Sequence, residues 1–193
     1  MGSREIARTA VRSRLAEVAV ELFHQGGFDR ITVNELAAAG GVSRSTFLRY
    51  FTTKEDAVLA AFEDQGDLLA AAIRARPAGE DDWTVLLCAL LGRIADRCRR
   101  DPAGTLALTG LIRRTPALCA RNLERQATWR PLLATALLER HDDRPDGARL
   151  RATVLVSAAF ACYNAAVDSW TDSGGTDDLP GLVERAFSVM SPR

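Results

Sequence analysis

In the stretch SRSTFLRYFTTKED, residues 43–56, arginines and hydroxyl residues surround a pair of phenylalanines. Arg44 and Arg49 are its chemically pointed members, because a guanidinium can donate two parallel hydrogen bonds to guanine O6 and N7. Leu48 adds an apolar tip of the kind that meets a thymine methyl. Lys54, near the end of the stretch, is the only lysine in a chain of 25 cationic residues. It stands where a helix is about to begin, and the helix macrodipole disfavours a cation there by a few tenths of a kcal/mol, roughly. The same helix end attracts phosphate, so a phosphate held between its amides and the lysine ammonium would remove the conflict. The plain alternative is an exposed lysine that costs almost nothing.

The elements that must position these side chains are helical. Val11, Leu15, Val18, Leu22 and Phe23 mark one face of a first helix over roughly 8–25, stopped by Gly26-Gly27. Thr32 and Glu35 have the spacing of a capping box, with Ile31 placed to staple onto Leu36. Gly40-Gly41 ends that second helix within about two turns. Ser43 caps a third helix, in which Phe47 and Phe51 lie one turn apart and face inward. At about 100° per residue, Ser45, Leu48 and Arg49 then point outward. Two short helices joined by a glycine turn form a helix-turn-helix, whose second helix enters a DNA major groove. Thr53 caps a fourth helix, expected to run unbroken from Lys54 to about Arg74.

Further on, helical patterns recur at about 82–100, 102–114, 116–140, 147–172 and 179–190, separated by Asp-Pro, Thr-Pro, Arg-Pro-Asp-Gly and Gly-Gly breakers. With no alternating β-branched run, the expectation is an all-α chain of about nine helices. It divides into a helix-turn-helix module (1–53), a connecting helix (54–76) and a larger helical domain (77–193).

Composition sets the limits. With 47% apolar residues over 193, disorder is excluded. Charges cancel at 25 against 25, so attraction to a polyanion has to be local. Cys88, Cys98, Cys119 and Cys162 have neither zinc-site nor disulfide-framework spacing and read as small apolar residues in a reducing cytoplasm. No metal or cofactor site is expected. The uncharged run Ala152–Val167 falls short of the ~20 residues of a membrane span, so no membrane partner is expected.

Catalysis finds no foothold. The one lysine follows threonine rather than the glycine of a P-loop, and neither G-x-S-x-G nor G-x-G-x-x-G occurs. His24, on the first helix, and His141, in a loop, have no evident Cys or Asp partner in sequence.

The segment VAVELFHQGGFDRITVNELAAAGGVSRSTFLRYFTTKEDAVLAAF, residues 18–62, resembles the DNA-binding domain of the TetR family of bacterial repressors. The resemblance implies a homodimer that reads a palindromic operator in double-stranded DNA. It also implies DNA contacts from Thr32 and Ser43 at helix starts, from Arg44, Ser45, Thr46, Arg49 and Tyr50 along the recognition helix, and from Lys54 at a phosphate. Leu48 replaces the family's usual tyrosine, which removes a common hydroxyl-to-phosphate bond. Gly40 and Ser45 also depart from the commonest alanine and glycine.

In the C-terminal half, LIRRTPALCARNLERQATWRPLLATALLER and NAAVDSWTDSGGTDDLPGLVERAF resemble mycofactocin-type regulators, for which an acyl-coenzyme A effector is implied. Pocket candidates are Leu90, Ile94, Leu108, Ile112, Trp129, Phe160, Tyr163 and Asn164, although apolar residues at such spacing are more often plain core. Asn164 stands out, because a buried amide needs partners that a ligand could supply. Arg113, with Arg114, could meet ligand phosphates or be a solvated surface charge. Ala152–Val167 carries no charge on any side, so one face requires a partner. Helices 147–172 and 179–190 form the expected dimer surface. The competing reading is a helical interaction or small-molecule-binding module that keeps the fold without reading an operator.

Overall fold

The computed structural model describes residues 3–141 and 145–190; Arg144 of the third breaker and the side chain of His24 lie outside the described parts. Ten α-helices occur among these residues, and no strand. They are α1 Ser3–Gly26, α2 Val33–Ala39, α3 Arg44–Tyr50, α4 Lys54–Leu59, α5 Gln65–Arg74, α6 Asp82–Arg100, α7 Pro102–Arg114, α8 Pro116–Leu138, α9 Ala148–Asp172 and α10 Leu179–Met190.

The extra helix comes from a break. The helix expected over 54–74 stops at Leu59, passes through a 3-10 turn at Ala60–Phe62 and restarts at Gln65. Asp64 and Gly66, both weak helix formers, fall at the restart, and the Asp64 side chain accepts no capping hydrogen bond. Gly66 is required there for packing, since a Cβ would lie 2.5 Å from Cδ1 of Trp129. The connecting helix is therefore two short pieces rather than one lever.

The chain divides into two compact units. The first takes the residues up to Glu63 together with Leu111–Asn122, and the second takes Asp64–Gly110 and the residues from Leu123 onward. The boundary at 63/64 falls inside the expected connecting helix, and a stretch of the expected ligand domain joins the first unit.

The second unit has a continuous core of α5, α6, α8, α9 and α10, centred on Ile73, Val85, Leu137, Val156, Val183 and Phe187. Trp83 on α6 stacks on Phe187 with ring centroids 4.4 Å apart, and its indole N–H donates to the Phe187 carbonyl at 3.2 Å. Arg140 closes the end of α5 by donating to the carbonyls of Ile73, Arg76 and Pro77 at 3.2, 2.8 and 2.9 Å. Carbonyls at a helix C-terminus lack the full set of intrahelical partners, and Arg140 supplies donors to them. Asp82, 5% exposed, holds His141 at 2.8 Å and Arg151 at 2.7 Å. His141 thus has a carboxylate partner after all, 59 residues away in sequence, a separation that local inspection does not reach. An unpartnered carboxylate at 5% exposure is costly, so Arg151→Ala with His141→Ala should lower the urea midpoint of this unit, whereas Arg149→Ala should leave it within about 0.5 kcal/mol.

α9 is the one described helix long and apolar enough to cross a membrane by composition, with a window of mean hydropathy 1.4. It packs on α10 and α6 along one side. Its other side is open rather than buried all round, with Leu150 at 69% and Val154 at 56% exposure.

Candidate DNA-reading surface and effector unit

Local chemistry builds the first unit as its sequence requires. Thr32 Oγ1 accepts from the Glu35 amide at 3.3 Å, while the Glu35 carboxylate accepts from the Thr32 amide at 2.8 Å. These bonds, led by the one from the Thr32 backbone, hold the Glu35 carboxyl below its usual range. Ile31 rests on the end of α1, its Cδ1 2.7 Å from where a Cβ on Gly26 would stand. Gly41, at φ +68°, makes the turn into α3.

Ser43 caps α3, accepting from the Thr46 amide at 3.1 Å, and Thr53 caps α4, accepting from the Asp56 amide at 3.1 Å. Phe47 is the single buried residue of α3, and Phe51 follows at its end, with ring centroids 5.4 Å apart. Arg12 of α1 lies over the Phe51 ring, 4.8 Å from its centroid, and pairs with Glu63. With both aromatics inside, Arg44, Ser45 and Arg49 are exposed, while Thr46, Leu48 and Tyr50 are half-buried. One helix face thus presents two arginine forks and a hydroxyl beside an apolar tip. Ser43 bonds the hydroxyls of both Ser45 and Thr46, at 2.9 and 3.0 Å, so those two groups are oriented before anything binds.

Lys54, the expected phosphate contact, is also held within the protein. Its ammonium donates to the carbonyl of Phe28 at 2.8 Å and of Ile31 at 3.4 Å, and lies 4.2 Å from the centroid of the Phe28 ring. The dipole conflict at the start of α4 is therefore offset by loop carbonyls between α1 and α2. A compact ammonium with three donors fits that place, which a planar guanidinium matches poorly. On α8, Arg121 donates twice to Oδ1 of Asp56, both at 3.1 Å, in the first turn of α4. Sequence reasoning missed this contact, because 65 residues separate the partners.

In the second unit, Leu69, Ile73, Leu86, Ala89, Leu90, Leu133, Val156, Ala159 and Phe160 enclose an apolar cavity of about 10 Å³, room for about one water. Of the expected pocket residues, Leu90 and Phe160 line it. Trp129 lies beside Phe160 with centroids 6.3 Å apart. Ile94 and Leu108 are buried but do not line the cavity, and Ile112 and Arg113 belong to the first unit. Asn164 already has its partner: it donates to Gln126 Oε1 at 3.0 Å and accepts from Gln126 Nε2 at 3.1 Å. Gln126, 3% exposed, did not stand out in the sequence because it falls in an arginine-rich helix with no periodic mark.

Two capped short helices with a polar recognition face, in a chain that also carries a separate helical unit with an apolar interior, define a DNA-binding transcriptional regulator of the helix-turn-helix class. Residues 15–61 match the family model of bacterial regulatory proteins of the tetR family, and residues 81–193 match the MftR C-terminal domain. The chain belongs to the TetR family. It is 34% identical over 162 residues to the HTH-type transcriptional regulator TcmR of Streptomyces glaucescens, covering 81% of this chain and 71% of that one. Among solved structures it is similar to FadR of Thermus thermophilus, a TetR-family repressor crystallised with lauroyl-CoA, with 25% identity, a TM-score of 0.61 and coverage of 94% and 96%. FadR of Bacillus halodurans shares the fold at a TM-score of 0.58 and 20% identity, covering 98% of this chain and 95% of that one.

Proposed function

We propose that the protein is a homodimeric repressor, released from a palindromic operator by a small effector of the acyl-coenzyme A type. The observation that carries the DNA half of this reading is the division of α3: Phe47 and Phe51 are 0% and 1% exposed while Arg44, Ser45 and Arg49 stand outside. Arg49 and Arg44 then serve as base or phosphate readers and Leu48 as an apolar contact. Thr32, Ser43, Thr46 and Tyr50 serve as backbone-positioning groups. Two copies of α3 about 34–36 Å apart would read successive major grooves. Such a regulator works where the chromosome is, in the cytoplasm.

The open side of α9 supports the dimer. Leu150, Val154, Ala158, Ala161 and Ala165 fall on one helical face, and Val189 and Met190 of α10 are 81% and 56% exposed. Small residues at that spacing let two helices approach closely. The lauroyl-CoA of Thermus thermophilus FadR and the apolar interior of the second unit both favour an amphipathic acyl effector. Binding it would favour a conformation that holds DNA poorly.

Selection of DNA from a random pool is expected to enrich a palindrome, and lauroyl-CoA to release it. Arg49→Ala should weaken the selected site by about 1–3 kcal/mol while changing random-DNA binding little. A pool that yields no palindrome, together with unaltered binding in Arg49→Ala, leaves the interaction-module reading standing instead.

A further inference from the structure

Four helices of the second unit change character at the same level. On α6, Leu86 and Leu90 lead along one face to Arg93 and Arg97; on α9, Val156 and Phe160 lead to Tyr163 and Asn164. On α8, read backward, Leu133 leads to Arg130 and Gln126, and on α5 Ile73 and Leu69 lead to Gln65. The first-named residue or pair on each helix encloses the apolar cavity, and the side chains that follow, within about two turns, or about 11 Å, are polar or cationic. Contacts tie the helices together at that level. Gln126 pairs with Asn164, Arg93 accepts company from Gln65 by donating its Nε–H to the amide oxygen at 3.3 Å, and Trp129 stands beside Phe160 at the transition.

This end of the unit is not simply where a core meets water. Gln126 is 3% exposed, and its pairing with Asn164 spends one donor and one acceptor of each amide, leaving hydrogen-bonding capacity on both. The Nε–H of Arg130, on the α8 face of Gln126 and Leu133, is buried with no acceptor. Burial pushes the Arg97 guanidinium below its ordinary range, and burial pushes the Tyr163 phenol up, while each partly offsets the other. Cations and amides withdrawn from water, next to an apolar chamber, suit a ligand with an apolar chain and an anionic or carbonyl-bearing head.

We propose that Arg97, Gln126, Arg130, Tyr163 and Asn164 form the head-group site for an amphipathic organic anion, whose chain runs back past Phe160 towards Ala89 and Ala159. The proposal rests on the effector reading above and assigns the ligand's orientation and the residues that select its head. The amide pair opens to receive the carbonyl next to the chain, and Arg97 meets the negative charge. Phe160 and Trp129 must turn aside, because the cavity at rest holds no more than about one water.

The test uses the full-length protein and three probes with one tail: laurate, lauroyl-CoA and dodecyltrimethylammonium, each titrated calorimetrically. At least one of the two anions should bind, and the cationic probe should bind about tenfold more weakly or worse. Gln126→Leu with Asn164→Leu replaces both partners by apolar groups of similar shape, a change close to neutral for folding. That double variant and Arg97→Met should each weaken the anion by about tenfold or more while narrowing its advantage over the cation. Arg97→Lys should recover part of the loss. A preference for laurate over lauroyl-CoA, or the reverse, distinguishes a free acid from its thioester. If the anions bind the variants and the wild type equally well, the head-group site is wrong and the effector reading stands. If no probe binds the wild type, the effector reading falls with it.

Discussion

Phe47→Ala is expected to destabilise the helix-turn-helix unit by about 3–5 kcal/mol and to abolish operator binding without touching the effector unit. α3 spans seven residues and Phe47 is its single buried side chain, at 0% exposure. A helix that short has no independent stability, so its orientation depends on this one ring and on Phe51 at its end. Removing the ring leaves a void beneath α3 that seven residues cannot collapse to fill without rotating the arginines away from the groove. The measurement can separate the two units. Trp83, Trp129 and Trp170 all belong to the second unit, so tryptophan fluorescence follows that unit while hydrogen exchange at the α1–α4 amides follows the first. Exchange protection there should fall a hundredfold or more with the fluorescence transition in place. Unchanged protection in the variant would mean that Phe51 and the caps alone hold the recognition helix.

The helix-turn-helix was readable because each of its signals is local. A capping box at Thr32 and Glu35, a serine cap at Ser43 and two phenylalanines one turn apart each act within four residues, and all three features occur as expected. The boundaries of α6, α7 and α10 were equally legible from Pro, Gly and Asp breakers. What escaped is non-local or counter to propensity. The break at Ala60–Phe62 is followed by Gly66, which makes room for a tryptophan 63 positions later, and no local window of sequence contains both. Asn164 was marked as a buried amide in search of a ligand, but its first partner is Gln126, 38 residues away. The pocket residues scattered because helical spacing identifies a buried face without saying which faces meet. Leu90 and Phe160 share a cavity, and Ile112 does not belong to that unit.

Lys54→Met is expected to lower the stability of the first unit by about 2–3 kcal/mol, from one strong hydrogen bond of a charged donor and a cation–π contact. Methionine keeps the apolar stem against Phe28 and removes only the charge, so the loss reports the ammonium's hold on the Phe28 and Ile31 carbonyls. Those carbonyls belong to the loop that delivers Thr32 to the start of α2. Freed of Lys54, the loop loses its tie to the start of α4, and α2 loses its fixed approach to α3. DNA binding then falls for operator and random sequence alike, which a phosphate clamp also predicts. Two measurements tell the mechanisms apart. A brace gives a lower urea midpoint, and a stabilising osmolyte restores DNA affinity by refilling the folded state. A clamp leaves the midpoint within about 0.5 kcal/mol and lowers the slope of log K against log salt by about 0.9 for each lost phosphate. Unchanged stability with a reduced salt slope would return Lys54 to the DNA. The geometry favours the brace, because two of its three N–H donors are engaged by the protein and the ring of Phe28 covers the cation. The single lysine of an arginine-rich chain then stands where it does because that site needs a compact cation between two carbonyls and an aromatic face.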